Sequence, residues 1–184
     1  MQVYIAFLRG INVGGHKKVP MAKLRETLSC AGLHDVKTYI QSGNIVFKSK
    51  IASVNELEQL IQKSIADGFG FTVPVLVKLT KEVASILADN PFTASKYLES
   101  NQVYFILLFN IPPEEQVLSF ESMKYPNEEF KILNNCVYLL CKNGYGKARL
   151  NNHSIERKLN VSATARNYRT MQKLVELATN KPSS

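Results

Sequence analysis

The stretch LRGINVGGHKKVP, Leu8–Pro20, joins an apolar run to an amphipathic segment. The run Val3–Leu8 at its start predicts a buried β-strand, and Pro20 at its end is typical of the beginning of a helix. Gly14 and Gly15 tolerate positive φ, which suits a long connection between a strand and a helix. The stretch therefore predicts a strand, an ordered glycine loop and a helix in direct succession.

The next segments extend this order to a complete sheet unit. Apolar residues at Met21, Leu24 and Leu28 predict the helix, and two strand-like runs, Val36–Ile40 and Ile45–Phe47, predict a hairpin turning through Gln41–Asn44. A helix over Val54–Ala66 and a strand over Val73–Leu79 follow, and Pro74 either favours a sheet edge for that strand or restricts pairing at its start. The order β-α-β-β-α-β is typical of the ferredoxin-like, split βαβ unit: an antiparallel sheet with both helices on one face.

The rest of the chain nearly repeats this order. We predict first a helix over Lys81–Ala88, a strand over Val103–Phe109 and a short helix from Pro112 to Ser122. A hairpin follows, with strands Glu129–Leu133 and Val137–Cys141 and a turn at Asn134-Asn135. The last elements are a helix carrying Leu150, Ile155 and Leu159 and a helix over Asn167–Ala178. This reads β-α-β-β-α-α, with a helix in place of the final strand. The prediction is an α+β protein of two ferredoxin-like halves, 1–80 and 81–184, with a disordered tail at 180–184.

Charge and cysteine content narrow the choice of partners and compartment. The net charge is +8, and basic residues outnumber acidic ones ten to five in residues 1–80 and nine to two in 141–184, whereas acidic residues lead eight to four between them. Basic ends favour an anionic partner, although they also fit an ordinary soluble surface. No apolar run approaches the roughly 20 residues of a membrane span, and no signal peptide is evident. Three cysteines without metal-type spacing indicate reduced thiols and a cytoplasmic protein.

The glycine loop is the first candidate site. Backbone N–H groups at a glycine pair, a following helix N-terminus and flanking basic side chains together favour an anion. The loop matches neither the P-loop nor the dinucleotide pattern, so no nucleotide is assigned. The candidate ligand residues are Arg9, Asn12, Gly14, Gly15, Lys17 and Lys18. The alternative is a purely structural loop, in which the glycines serve the turn and Asn12 bonds to nearby backbone.

The predicted hairpin tip is the second candidate. Gln41, Ser42 and Asn44 gather amide and hydroxyl groups there. In a split βαβ sheet this tip is expected near the end of the first strand, and therefore near the glycine loop. The alternative is a turn whose side chains satisfy only their own backbone.

A third candidate lies near the C-terminus. Gly144 to Lys147 reads Gly-Tyr-Gly-Lys, and Arg166 and Asn167 come just before the last predicted helix. Gly-x-Gly-Lys brings N–H groups and an ammonium toward an anion, and Thr164 is expected to cap the helix. A solvated basic helix end is the equally plausible alternative.

Metal and catalytic patterns are weak. His16, His34 and His153 lie in different elements without ligand spacing, so no metal or cofactor is predicted. Ser42-Gly43 lacks the G-x-S-x-G context of a nucleophile. The pairs Glu114-Glu115 and Glu128-Glu129 are expected to be solvated surface. Without an evident general base, the sequence leaves open whether the protein is an enzyme.

Three segments carry a family resemblance: RGINVGG with KVPMAKLR (Arg9–Arg25), TYIQSGNIVF (Thr38–Phe47), and Tyr145–Leu174. They closely resemble the bacterial family known as domain of unknown function 1697. The resemblance implies two ferredoxin-like halves and no particular activity. Its motif residues correspond here to Arg9, Asn12, Gly14, Gly15, Ser42, Gly43, Asn44, Arg166 and Asn167. The chain departs from the family pattern at Ala148 and Ala165, where the family has hydroxyl residues, and at Tyr168, where it often has tryptophan.

Three functions remain open at this stage. The first is binding of a small anionic, phosphorylated ligand at Arg9–Lys18. The second is an interaction module with a structural loop, and the third is nucleic-acid binding, with Tyr4, Tyr39 and Phe47 stacking on bases from the sheet. The last lacks the RNA-recognition consensus around Phe47. The oligomeric state is not predicted.

Overall fold

A computed structural model describes residues 1–133 and 135–179. They form two compact units, one made of residues 1–85 together with the chain from Lys173, the other of residues 86–172. The division at residue 80 stays a prediction. Asn134 of the second predicted turn and the predicted disordered tail, 180–184, lie outside the described residues.

The first unit contains the predicted split βαβ sheet. Its elements are β1 (Gln2–Leu8), α1 (Met21–Cys30), β2 (His34–Tyr39), β3 (Asn44–Ser49), α2 (Val54–Phe69) and β4 (Val75–Leu79). The strands are antiparallel in the order β2-β3-β1-β4. Pro74 precedes an edge strand, as its missing N–H predicts.

Local sequence accounts for the helices of this unit. Ser53 Oγ accepts the N–H of Glu56 at 3.3 Å and caps α2, which ends at Gly70 in a left-handed conformation. The helix buries Leu57, Ile61 and Ile65 in the core beneath the sheet. Each such side chain removed from water contributes about 1.5–3 kcal/mol. The periodic apolar positions therefore set both the helix and the face that it buries.

The second unit forms a sheet with the same strand order. Its elements are α4 (Ser95–Glu99), β5 (Val103–Leu108), α5 (Glu114–Glu121), β6 (Glu128–Leu133), β7 (Cys136–Cys141), α6 (Asn152–Leu159) and β8 (Ala163–Asn167), in the sheet order β6-β7-β5-β8. Two further helices, α3 (Thr80–Ala88) and α7 (Tyr168–Thr179), carry the chain from one unit to the other. The single turn of α4 was not predicted, since five residues are too few to show helical periodicity.

The predicted replacement of the last strand by a helix is wrong. Residues Ala163–Asn167 form β8, which pairs with β5 so that Thr164 lies opposite Leu107 and Arg166 opposite Phe105. The side chains directed at the helix-covered core are Ala163 and Ala165, which are too small to give a strand-like apolar pattern. Both units therefore have the order β-α-β-β-α-β followed by a helix.

The repeat extends to individual hydrogen bonds. The N–H of Leu8 donates to Gly43 O at 2.8 Å, and the N–H of Leu108 donates to Asn135 O at 2.9 Å. One residue later, Arg9 donates to Pro74 O and Phe109 to Ser162 O, at 3.0 and 2.9 Å. In each unit the central strand is thus joined at its end to the same two connections. This confirms the two related halves inferred from element order.

Candidate functional site

The side chain of Asn12 holds the glycine loop in place. Its Nδ2 donates to Val19 O at 3.1 Å and to Gln41 O at 2.8 Å, and its Oδ1 accepts the Val19 N–H at 2.8 Å. Its backbone has φ 54°, a conformation that asparagine tolerates better than most residues. One amide thus ties the loop both to the segment before α1 and to the hairpin tip. The first two candidate segments are adjacent, as predicted.

Several loop N–H groups are already used within the protein. Arg9 donates to Pro74 O at 3.0 Å, Asn12 to Lys17 O at 3.2 Å and His16 to Val13 O at 3.1 Å. By contrast, the N–H groups of Gly14 and Gly15 make no hydrogen bond to any residue in 1–133 or 135–179. Both glycines are exposed, with φ 58° and 78°. Of the backbone N–H groups predicted to bind an anion, the two consecutive ones of Gly14 and Gly15 are therefore available.

The basic side chains of the loop differ in their roles. Lys17 Nζ donates to Thr72 O at 2.9 Å and lies 6.0 Å from the centroid of the Phe71 ring. Lys18 and His16 are exposed, whereas Arg9 is half-buried. Lys17 is therefore an anchor of the loop, and Lys18 supplies the charge beside the two glycines, next to the exposed imidazole of His16.

At the hairpin tip, the polar groups mainly hold the turn together. Asn44 is fully buried, and its Nδ2 donates to Tyr39 O at 3.0 Å and to Ser42 Oγ at 2.9 Å. Gln41 contributes its main-chain oxygen to Asn12, and its side chain is exposed. Ile40 has φ 49°, an uncommon conformation for a β-branched residue, and is half exposed. Asn44 therefore has the structural role that was weighed as the alternative.

The third candidate segment belongs to the second unit. Arg166 is 6% exposed, and its Nη1 donates to Thr164 Oγ1 at 2.8 Å and to Ala165 O at 2.7 Å. Burial lowers the pKa of this guanidinium to about 10. The expectation that Thr164 caps α7 is wrong, because Thr164 lies within β8. The cap is Asn167, whose Oδ1 accepts the N–H of Thr170 at 2.8 Å. Lys147 is exposed in the 3₁₀ turn Tyr145–Lys147.

Residues 1–138 match the family model described as "Protein of unknown function (DUF1697)". The chain belongs to the DUF1697 family. It is also similar to a solved structure, the conserved bacterial protein SP0830 from Streptococcus pneumoniae, with 25% identity, a TM-score of 0.73, and coverage of 97% of this chain and 99% of that one. Comparison with curated proteins gives no match. The DUF1697 match includes the glycine loop and the hairpin tip but ends before Lys147, Arg166 and Asn167.

Three general properties of this DUF1697 protein follow from its described residues. Across 1–133 and 135–179, no three His, Cys, Asp or Glu side chains are grouped as metal ligands would be. None of the described helices combines the length and the hydropathy needed to cross a bilayer. All three cysteines are free; Cys136 and Cys141 are buried and Cys30 is exposed.

One polar residue was misjudged from the sequence. Glu128, predicted as solvated surface with Glu129, is 7% exposed, and its Oε1 accepts the N–H of Arg149 at 3.2 Å. Its Oε2 is buried and has no hydrogen-bond partner among the described residues. Glu129 is exposed as predicted and pairs with Lys142 at 2.7 Å. Alternation along β6 was the available signal, because neighbouring strand residues face opposite sides of a sheet.

Proposed function

We propose that the protein binds a small phosphorylated anion at the glycine loop Arg9–Lys18. The observation that carries the proposal is the pair of exposed N–H groups at Gly14 and Gly15, which have no partner in the described residues and lie beside the exposed side chains of His16 and Lys18. Consecutive N–H groups left open in a turn, as Gly14 and Gly15 are, form a concave site for anionic oxygens.

The elements around the loop support the same chemistry. Helix α1 begins at Met21, and Pro20 before it makes no side-chain cap, which leaves the positive end of the helix close to the loop. The hydrogen bonds of Asn12 fix the loop before any ligand arrives, which reduces the entropy cost of binding. Arg9, Ser42 and Gln41 stay in the proposal as contacts for the remainder of the ligand.

The proposal is limited to binding. No general base lies within the glycine loop other than His16, which has no orienting carboxylate among the described residues. Lys147, Arg166 and Asn167 are not included, because Arg166 and Asn167 already have the structural contacts of β8 and α7. A cytoplasmic location, expected from the free thiols, belongs to the same proposal.

Calorimetric titration with inorganic pyrophosphate and a panel of phosphorylated metabolites tests the site. We expect saturable binding that Lys18→Ala weakens about tenfold, since one charge-assisted contact is lost. Lys63→Ala is the matched control, because it removes the same charge from an exposed position on α2. The proposal fails if no member of the panel binds, or if Lys63→Ala weakens binding as much as Lys18→Ala.

Exposed apolar side chains favour a second candidate, the interaction module. Val13 is 67% exposed and Ile40 is 50% exposed, and the amide of Asn12 joins the two segments that carry them. Light scattering of the wild type and of the double variant Val13→Ser with Ile40→Ser tests this candidate. An assembly that the double variant dissociates supports it, and a monomer in both cases contradicts self-association.

The first sheet does not present Tyr4 and Phe47 for stacking on nucleic-acid bases. Tyr4 and Phe47 are 2% and 0% exposed, and they stack on each other in the helix-covered core at 5.6 Å. Rings in that position are not presented to bases. Nucleic-acid binding without them remains a prediction, to be tested by the salt dependence of binding to mixed DNA and RNA.

A further inference from the structure

A pocket unrelated to the glycine loop lies in the second unit, beside the edge strand β6. Its volume is about 570 Å³, within the range of small-molecule sites. The segment after α5 supplies Met123 and Tyr125, and β6 supplies Glu128 and Phe130. These four residues contribute two aromatic rings, a thioether and the carboxylate of Glu128 to its walls.

The carboxylate of Glu128 is the unusual part of this pocket. It is more than nine-tenths buried, Oε1 accepts one N–H from Arg149, and Oε2 has no hydrogen-bond partner in the described chain. Buried carboxylate oxygens are ordinarily paired, because desolvation of an unpaired charge is costly. A partner for Oε2 is the natural completion of the site.

Cations near the pocket, among the described residues, do not pair with Glu128 Oε2. Lys142 pairs with Glu129 at 2.7 Å. Lys158 Nζ lies 3.2 Å from Met123 Sδ, a weak acceptor, and makes no ion pair with Glu128 among the described residues. The chain itself therefore leaves Glu128 Oε2 to an external donor.

We propose that this pocket binds a small organic ammonium ion, which donates a hydrogen bond to Glu128 Oε2. Because Oε1 is already occupied, one oxygen remains, and this favours a single ammonium donor over a guanidinium that needs both oxygens. The rings of Tyr125 and Phe130, in edge contact at 6.3 Å, offer cation–π attraction and an apolar wall. A metal ion fits less well, since the described residues group no three ligating side chains.

The remaining charges of the pocket are of both signs, because Lys124 and Lys131 line it together with Glu121 and Glu129. These charges do not select among amines, so the rings of Tyr125 and Phe130 are what favour a ligand with an apolar or aromatic body.

Phenethylammonium is the probe, and 2-phenylethanol, which has the same ring but no charge, is the control compound. Methyl-labelled methionine NMR reports on the site through Met123, assigned with Met123→Leu. We expect phenethylammonium to shift the Met123 methyl resonance saturably, and Glu128→Gln to weaken that binding at least tenfold. Glu115→Gln makes the same charge change at an exposed position on α5, outside the pocket, and is expected to alter binding less than twofold.

Three results would overturn the proposal: no saturable shift at millimolar phenethylammonium, equal affinity for 2-phenylethanol, or unchanged binding in Glu128→Gln. A shift produced by Mg²⁺ alone and lost in Glu128→Gln would replace the ammonium by a metal ion and also overturn it. If Glu128→Gln does not fold, the comparison of amine and alcohol on the wild type decides. Failure here leaves the anion proposal untouched, because the two sites lie in different units and take opposite charges.

Discussion

Gly43 is the residue at which the hairpin tip and the end of β1 approach most closely. A Cβ built there lies 2.6 Å from Leu8 Cβ, and φ is 78°. We expect Gly43→Ala to lower the free energy of unfolding by about 2–4 kcal/mol, from left-handed strain together with overpacking. Gly70 has the same φ but open space around it, so Gly70→Ala is expected to cost about 1 kcal/mol. Urea unfolding compares the two, and equal losses would exclude the steric contribution.

Asn12 is the residue on which the loop's order depends. Asn12→Gly tolerates the positive φ while removing three hydrogen bonds, so we expect a loss of about 2–4 kcal/mol and faster tryptic cleavage after Lys17 and Lys18. Gln41→Ala is the control, since only the main-chain oxygen of Gln41 accepts from Asn12. Cleavage at the wild-type rate in Asn12→Gly would show that the loop is held by other contacts.

At the scale of secondary-structure elements, Asn167 lies where β8 ends and α7 begins. As the cap of α7 it accepts the N–H of Thr170, so Asn167→Ala is expected to lower the free energy of unfolding by about 1 kcal/mol, and Asn167→Asp to retain most of it. Chemical unfolding followed by circular dichroism measures both. Equal free energies of unfolding for the two variants would contradict capping, and Asn167 would again be a candidate ligand residue.

Most elements could be predicted because their core positions carry large apolar side chains. Helix α2 is the clear case, with Leu57, Ile61 and Ile65 at helical spacing behind a serine cap. Strand β8 was missed because alanines fill its core positions, and the buried residues that alternate with them, Thr164 and Arg166, are polar. The alternation of large apolar and polar residues that identifies a strand is absent from β8. Pairing with β5 stabilises the strand instead.

The candidate sites were predictable only in part. The proximity of the loop and the hairpin tip followed from the order of elements, and Asn12 confirmed it. Which N–H groups are occupied did not follow, because that depends on distant carbonyls such as that of Pro74. The burial of Glu128 was missed although alternation along β6 puts it on the same face as Phe130 and Ile132, because a glutamate at a strand end is ordinarily solvated.

At the scale of the whole molecule, alkaline pH is expected to destabilise the fold. Burial raises the pKa of Cys141 to about 12 and that of Tyr145 to about 12. Between pH 9 and pH 12 the unfolded chain loses these protons first, so the folded state binds more protons and the free energy of unfolding falls as pH rises. Below pH 9 both states are protonated, and the two groups contribute no slope.

Urea unfolding at pH 8 to 11 measures this slope. Cys141→Val removes one of the two groups, and we expect a shallower decline than in the wild type, by at most about 1.4 kcal/mol per pH unit. Cys30→Ser is the control, because Cys30 is exposed. A decline that Cys141→Val leaves unchanged would show that this thiol does not take part.

The first unit is made of two separate stretches of the chain, residues 1–85 and the chain from Lys173, and this has a consequence for biosynthesis. Leu177 and Ala178, near the end of α7, line a cavity with Val3 and Val46 of its sheet. A ribosome releases residues in order, so the strands of this sheet emerge while the helix that completes the cavity has not been translated. The nascent chain therefore holds an unfinished apolar surface throughout the synthesis of the second unit, and the first unit is completed only after the second has been synthesised.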